Sequence, residues 1–284
     1  MPALLDGVRL ADSVNYLGPD ALLATVVASS HGGLYAAYKA ALSGARAVIL
    51  NDAGVGLAEA GIAGLAYCEA LGMAAAAVSH LSARIGDAAD MLARGVISRA
   101  NRPAQAAGCV PGIPCADAAR RLRTAPLPAL PPPPYEETRF LVSAEPRRPR
   151  VICLDSASLV RAEDAGQIVI TGSHGGLIGG RREKAFNVRA LLAAFNDAGI
   201  GIDRAGVGRL DPLDEQRVAA VTVAHTSARI GDARSTYADG IISHLNACAA
   251  GRGARIGMPV AMLVGLFLEA AGSSAAADDA ATPA

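Results

Sequence analysis

The nine residues HLSARIGDA that begin at His80 return as HTSARIGDA at His225, with eight letters unchanged. The recurrence is not isolated. At an offset of 143, Asp12-Ser13 matches Asp155-Ser156, and SHGGL at Ser30 matches SHGGL at Ser173. At an offset of 145, NDAGVG at Asn51 matches NDAGIG at Asn196, GVIS at Gly95 matches GIIS at Gly240, and Asn101 matches Asn246. Between 51–114 and 196–259, 28 of 64 ungapped pairs are identical. An Ala- and Gly-rich composition does not cluster identities in this way, so the chain reads as an internal duplication.

Four segments follow. Residues 1–118 form the first repeat, 119–150 a proline-rich linker, 151–272 the second repeat, and 273–284 a low-complexity tail expected to fray. Within the first repeat, short apolar runs alternate with helical ones. ALLATVVAS, ARAVIL, MAAAAVS and GVIS read as strands, and LYAAYKAALSG and AEAGIAGLAYCEALG as helices closed by glycine. In the second repeat GQIVITGS, VRALLAAF and VAAVTVA read as strands. The expected fold is α/β: two duplicated βαβ-type three-layer units with mostly parallel sheets, related by a pseudo-twofold axis.

In open parallel sheets, ligands sit at the carboxyl ends of the strands. The three shared motifs follow the first, second and third of these strands, so the sequence predicts that they converge. His31, His80, His174 and His225 are the candidate acids or bases, with Asp52 and Asp197 as carboxylates able to orient them. Ser82 and Ser227 are candidate nucleophiles and N-caps. Arg84 and Arg229 could clamp a carboxylate. The glycines of SHGG, Gly32, Gly33, Gly175 and Gly176, could turn their amides toward an oxyanion. Against this stand plainer roles: a tight turn for SHGG, an Asx turn for NDAG, and a cap plus an Arg84–Asp87 pair for SARIGDA. The GGRREK run with Arg181, Arg182 and Lys184 is special to the second repeat and reads first as an exposed charged stretch.

The order strand, SHGG, helix, strand, LNDAG resembles the caspase-like cysteine peptidases over about forty residues. That resemblance implies no peptidase activity, because the nucleophile position holds Ala53 and, in the second repeat, Ala198. The two-lobed plan also resembles racemases whose site lies between α/β halves, but the cysteine pair those need at the strand ends is lacking. No P-loop, GxGxxG, HExxH or GxSxG motif occurs.

A net charge of zero and the lack of tryptophan argue against a nucleic-acid surface. No apolar run approaches the ~20 residues a membrane helix needs, and the start of the chain does not read as a secretory signal. Five cysteines without a CxxC pair suit a reduced, cytoplasmic protein. The partner expected is a small-molecule substrate. The alanine-rich helices could pack on the sheet or in a homo-oligomer.

The leading expectation is an enzyme on a small polar, anionic or carbonyl-bearing metabolite. Its preferred chemistry is hydrolysis of a non-peptide C–N bond, in an amide, imide or ring amide, with a His base. No cofactor is expected. The metal-dependent alternative places a divalent ion on His31, Asp52 and His80. Two further alternatives are an isomerase or lyase with paired histidines across one shared pocket, and a non-catalytic binding or sensing protein.

Overall fold

Side chains alternate between the two faces of a strand, and a strand whose both faces are apolar must be covered on both sides. The five-residue strand AAAAV is wholly buried for this reason, although alanine has weak strand propensity. The computed structural model describes residues 7–280, and it builds two such covered sheets.

The first sheet contains β1 (Val8–Ala11), β2 (Thr25–His31), β3 (Ala47–Asn51), β4 (Ala74–Val78) and β5 (Ile97–Ala100) in that spatial order. β1 to β4 are parallel, and β5 closes the edge antiparallel to β4. Helices α1 (Leu34–Leu42) and α2 (Ala63–Ala70) cover the face carrying Val26, Ala28, Val48, Leu50, Ala75 and Ala77. Helices α3 (Ala88–Arg94), α4 (Arg102–Ala106) and α5 (Cys115–Leu122) cover the face carrying Val27, Ile49, Ala76 and Val78. Each large aliphatic side chain so enclosed stabilises the fold by about 1.5–3 kcal/mol.

The second sheet contains β6 (Arg139–Ser143), β7 (Val151–Leu154), β8 (Ile168–His174), β9 (Leu192–Asn196), β10 (Ala219–Val223) and β11 (Ile242–Leu245). β7 to β10 are parallel, with β6 and β11 antiparallel at the two edges. α6 (Leu210–Glu215) packs on one face with Phe186 and Phe195. α7 (Ala233–Ala238), α8 (Ala247–Ala250) and α9 (Val260–Ala280) cover the other.

The assigned strands are all present, including VRALLAAF as β9. Four strands lie outside the assigned runs: β1 and β7 hold only four residues each, β11 is the counterpart of the GVIS strand, and β6 grows from the end of the proline-rich stretch. Residues 119–150 thus include the last turn of α5 and the whole of β6. The expected frayed tail falls partly on α9 and, at 281–284, outside the described residues. No helix among the described residues is long and apolar enough to cross a membrane.

One local correction concerns Ser82. It does not cap a helix: α3 starts six residues later, with Asp87 as its N-cap accepting the Asp90 N–H at 2.9 Å. Ser82 Oγ instead donates to the Ser79 carbonyl and accepts the Val96 N–H, which ties the loop to β5. Ser227 does the same with Ala224 and Ile241.

The halves also differ. After SHGG the first half forms α1, whereas the second forms short 3-10 turns at Ile178–Gly180 and Arg182–Lys184. α1 presses on α2 so closely that a Cβ on Gly64 would stand 2.7 Å from that of Ala37. The second half has no helix there, and the position equivalent to Gly64 is Arg209.

Candidate functional site

The carboxyl ends of the two sheets face each other. The contacts across the seam are reciprocal: Leu57 N–H donates to the His225 carbonyl at 2.8 Å, and Ile202 N–H to the His80 carbonyl at 2.9 Å. Ala53, Ile85, Ala198 and Ile230 form a small apolar plug between the halves. The His31 ring reaches Gly231 of the second half, and Ile85 reaches Gly176. Each SHGG loop therefore meets the SARIGDA loop of the opposite half, and the recurring motifs do converge, but in two separate groups.

The first group lies in the seam. Asp52 Oδ1 accepts the His80 backbone N–H at 2.9 Å and lies 2.8 Å from its ring Nδ1, while Oδ2 accepts the Ser98 hydroxyl at 2.8 Å. Asp197 holds His225 in the same way, at 2.9 and 3.0 Å. A carboxylate can only accept, so in both dyads Nδ1 carries the proton. Burial pushes Asp52 up, but the bonds from His80 and Ser98 outweigh it and hold the carboxyl below its ordinary range. Asp197 is lowered likewise by His225 and Ser243. Ser98 and Ser243 were missed as partners, although they end the recurring GVIS and GIIS runs.

Arg84 pairs with Asp87 and Asp90 at 3.1 Å and with Asp203 of the opposite half at 3.5 Å. Arg229 pairs with Asp232 at 3.0 Å. Asn51 and Asn196 close Asx turns through the N–H groups of Ala53 and Ala198. These residues join the halves and shape their loops.

The second group lines a cleft of about 250 Å³ between the halves. Matching pairs contribute from both sides: Ser13 and Ser156, Ser30 and Ser173, His31 and His174. Unmatched residues complete it, notably Tyr35, Glu137, Lys184 and Arg209. That volume is enough to admit a small metabolite.

His31 and His174 differ from the seam pair in their protonation. Gly33 N–H donates to His31 Nδ1 at 3.2 Å, and Gly176 N–H to His174 Nδ1 at 3.1 Å. Nδ1 is thus an acceptor, and in the neutral ring Nε2 carries the hydrogen. Burial pushes His31 down to about 4. Burial, the Arg209 charge and His31 push His174 well below its ordinary value. Both rings are therefore neutral N–H donors at pH 7.

The glycine amides expected to face an anion are occupied. Gly33 and Gly176 hold the imidazoles, while Gly32 and Gly175 donate to the carbonyls of Asn51 and Asn196. They orient the histidines that line the cleft.

Arg209 is 6% exposed and takes part in no ion pair among the described residues. Its Nε donates to the Gly176 carbonyl at 2.9 Å, Nη1 donates to the Ala185 carbonyl, and the guanidinium lies 5.1 Å from the Phe195 ring centre. Burial alone lowers it to about 10. Glu137 shows the opposite effect. Burial, reinforced by Asp155, pushes it up to about 7 against hydrogen bonds from Tyr35 and Ser156 and the charge of Lys39.

The His31, Asp52 and His80 set of the metal-dependent alternative is not assembled, since His31 is in the cleft and the other two are in the seam. Among the described residues no group of three or more His, Cys, Asp or Glu is arranged to hold a metal ion. All five cysteines are free, and four are buried. Comparison with family models, characterised proteins and solved structures finds no match to this chain.

Proposed function

We propose that the chain is an enzyme acting on a small carbonyl-bearing carboxylate in the cleft between its halves, by proton transfer at the carbon beside the carbonyl. The observation that carries this reading is the placing of two neutral Nε2–H imidazoles, His31 and His174, beside the buried and unpaired Arg209. A buried cation without a counter-charge is costly, and an anionic ligand would relieve that cost. Lys184 at the same cleft adds a second positive charge. The two N–H groups suit an oxygen that gains charge during reaction. One such preorganised donor is worth roughly 3–4 kcal/mol to a transition state.

This favours the isomerase or lyase alternative, with the paired histidines as electrophiles rather than bases. A His general base has less support: His31 is lowered to about 4 and its Nδ1 already accepts a hydrogen bond. Ser82 and Ser227 are bound to backbone groups and do not line the cleft. Hydrolysis of an amide, imide or ring amide would use the same oxyanion donors, and the assay separates the two.

Oxalate, a planar dianion shaped like the enolate of a short 2-oxo acid, is the binding probe. Calorimetry should show oxalate bound by the wild type and at least 100-fold more weakly by Arg209→Gln. Proton NMR in D2O with pyruvate, 2-oxobutyrate, oxaloacetate and cyclic amides then reads the chemistry. Deuterium entering beside a carbonyl supports proton transfer, and ring opening with a freed amine supports hydrolysis. Failure of the wild type to bind oxalate would overturn the reading.

A further inference from the structure

We propose that Glu137, carried by the segment that joins the two halves, is the acid–base group of the cleft and faces the ligand opposite Arg209. This deepens the reading above and rests on it. That reading lacks a base, because both histidines donate.

The position of Glu137 is fixed from both sides. On the first half, the Tyr67 hydroxyl donates to the Pro133 carbonyl at 3.2 Å, and Tyr135 packs against Tyr35 and Tyr38 with ring centres 6.2 Å apart. On the second half, the Thr138 N–H and hydroxyl both donate to Asp155 at 2.7 Å, and Arg139 makes a two-point ion pair with the buried Asp164 at 2.8 and 2.9 Å. Prolines hold the preceding stretch extended. Glu137 is thus the point at which the connector crosses the cleft.

Arg209 and Lys184 line the cleft from the second half, whereas Glu137 lines it from the connector, beside Tyr35 of the first half and Asp155 of the second. A substrate carboxylate on Arg209 points its other end toward Glu137, with His31 and His174 between. Glu137 takes the proton from the carbon beside the carbonyl. The C–H electron pair becomes the C=C bond of an enolate, and the carbonyl π pair moves onto oxygen between the two Nε2–H groups. Return of the proton from Glu137 to the same carbon completes the cycle with no co-reactant: the C=C pair re-forms the C–H bond and the oxygen pair re-forms the carbonyl. The charged and titratable groups facing Glu137 are Tyr35 and Lys39 of α1, Asp155 after β7, and Tyr135 on its own segment. Burial is the largest cause of its raised value of about 7, so it can hold or release a proton at neutral pH.

The test measures oxalate binding by calorimetry between pH 6 and 8.5, in buffers of different ionisation enthalpy. The dianion and an ionised Glu137 repel, so wild-type affinity should fall about tenfold per pH unit above about 7, with uptake of about one proton per ligand. Glu137→Gln should bind without proton uptake and with little dependence on pH. Tyr35→Phe removes a donor to the carboxylate and should move the midpoint upward. Persistence of proton uptake in Glu137→Gln, or an unmoved midpoint in Tyr35→Phe, overturns the assignment while leaving the anion site intact. Absence of wild-type binding at every pH overturns the anion site and this assignment together.

Discussion

Gly54 and Gly199 stand back to back across the seam, each at a positive φ of about 75°, so that a Cβ built on Gly54 would lie 2.8 Å from the Cα of Gly199. The His225 ring packs on Gly54 and the His80 ring on Gly199. Each alanine substitution would add backbone strain and a clash with backbone atoms that have no room to give. Gly54→Ala and Gly199→Ala should each cost about 2–4 kcal/mol of stability. Denaturant unfolding measures this, and a change within 0.5 kcal/mol would show that the seam yields.

The two Asp–His dyads make the seam sensitive to acid. A carboxyl held low in the folded state stabilises it above the unfolded value of about 4, and that contribution is lost as pH falls through the lower folded value. The wild type should lose stability below pH 4 more steeply than Asp52→Asn or Asp197→Asn. Each variant should be about 2–4 kcal/mol less stable at pH 7, because the amide cannot accept from both the imidazole and the serine. Equal acid slopes would remove the dyads from the account.

His31 and His174 act in a different window. Their folded values lie below the unfolded value of about 6.5, so the unfolded chain binds more protons between the two. Stability should be full above about pH 6.5 and fall as pH drops toward 4. Nitrogen-15 spectra of labelled histidine should show two rings protonated on Nε2 at pH 6 and still neutral at pH 5. Rings that titrate near 6.5 would contradict the burial and the hydrogen bonds from Gly33 and Gly176.

Ligand linkage gives a check that needs no assay. Oxalate at 100 times its dissociation constant should raise unfolding free energy by about 2.7 kcal/mol. The melting temperature should rise in the wild type, and in Arg209→Gln the gain at the same oxalate concentration should be no more than about 0.4 kcal/mol. A similar rise in both would place the anion elsewhere.

The connector should be held mainly by Arg139. Its ion pair with Asp164 is partly buried, and removing one partner strands the other. Asp164→Asn should cost about 2–4 kcal/mol and weaken protection of the β6 amides in hydrogen exchange. Unchanged protection would show that strand pairing alone anchors the segment.

The sheets were legible because alternation and glycine-closed helices are local signals, and recurrence doubled them. SHGG, NDAG and SARIGDA stand out by recurrence, yet recurrence alone does not separate a joint from a pocket. His31 and His80 look alike as letters. They differ only through what Nδ1 meets, a Gly33 amide or the Asp52 carboxylate, and that is a tertiary fact. Arg209 and Glu137 escaped notice because neither belongs to the recurring pattern. Arg209 sits where the other copy has Gly64, and Glu137 follows a run of prolines that reads as plain linker.

The exchange of Gly64 for Arg209 has a structural consequence. In a dimer of identical halves, every side chain placed on one side of the axis returns on the other, and an arginine at this position would collide with the α1–α2 contact it must preserve. A single chain is free of that rule. One copy keeps the helix that the small residue permits, while the other gives up the helix and sets a positive charge in the space. Joined end to end, two like lobes can hold a molecule whose own two ends are unlike.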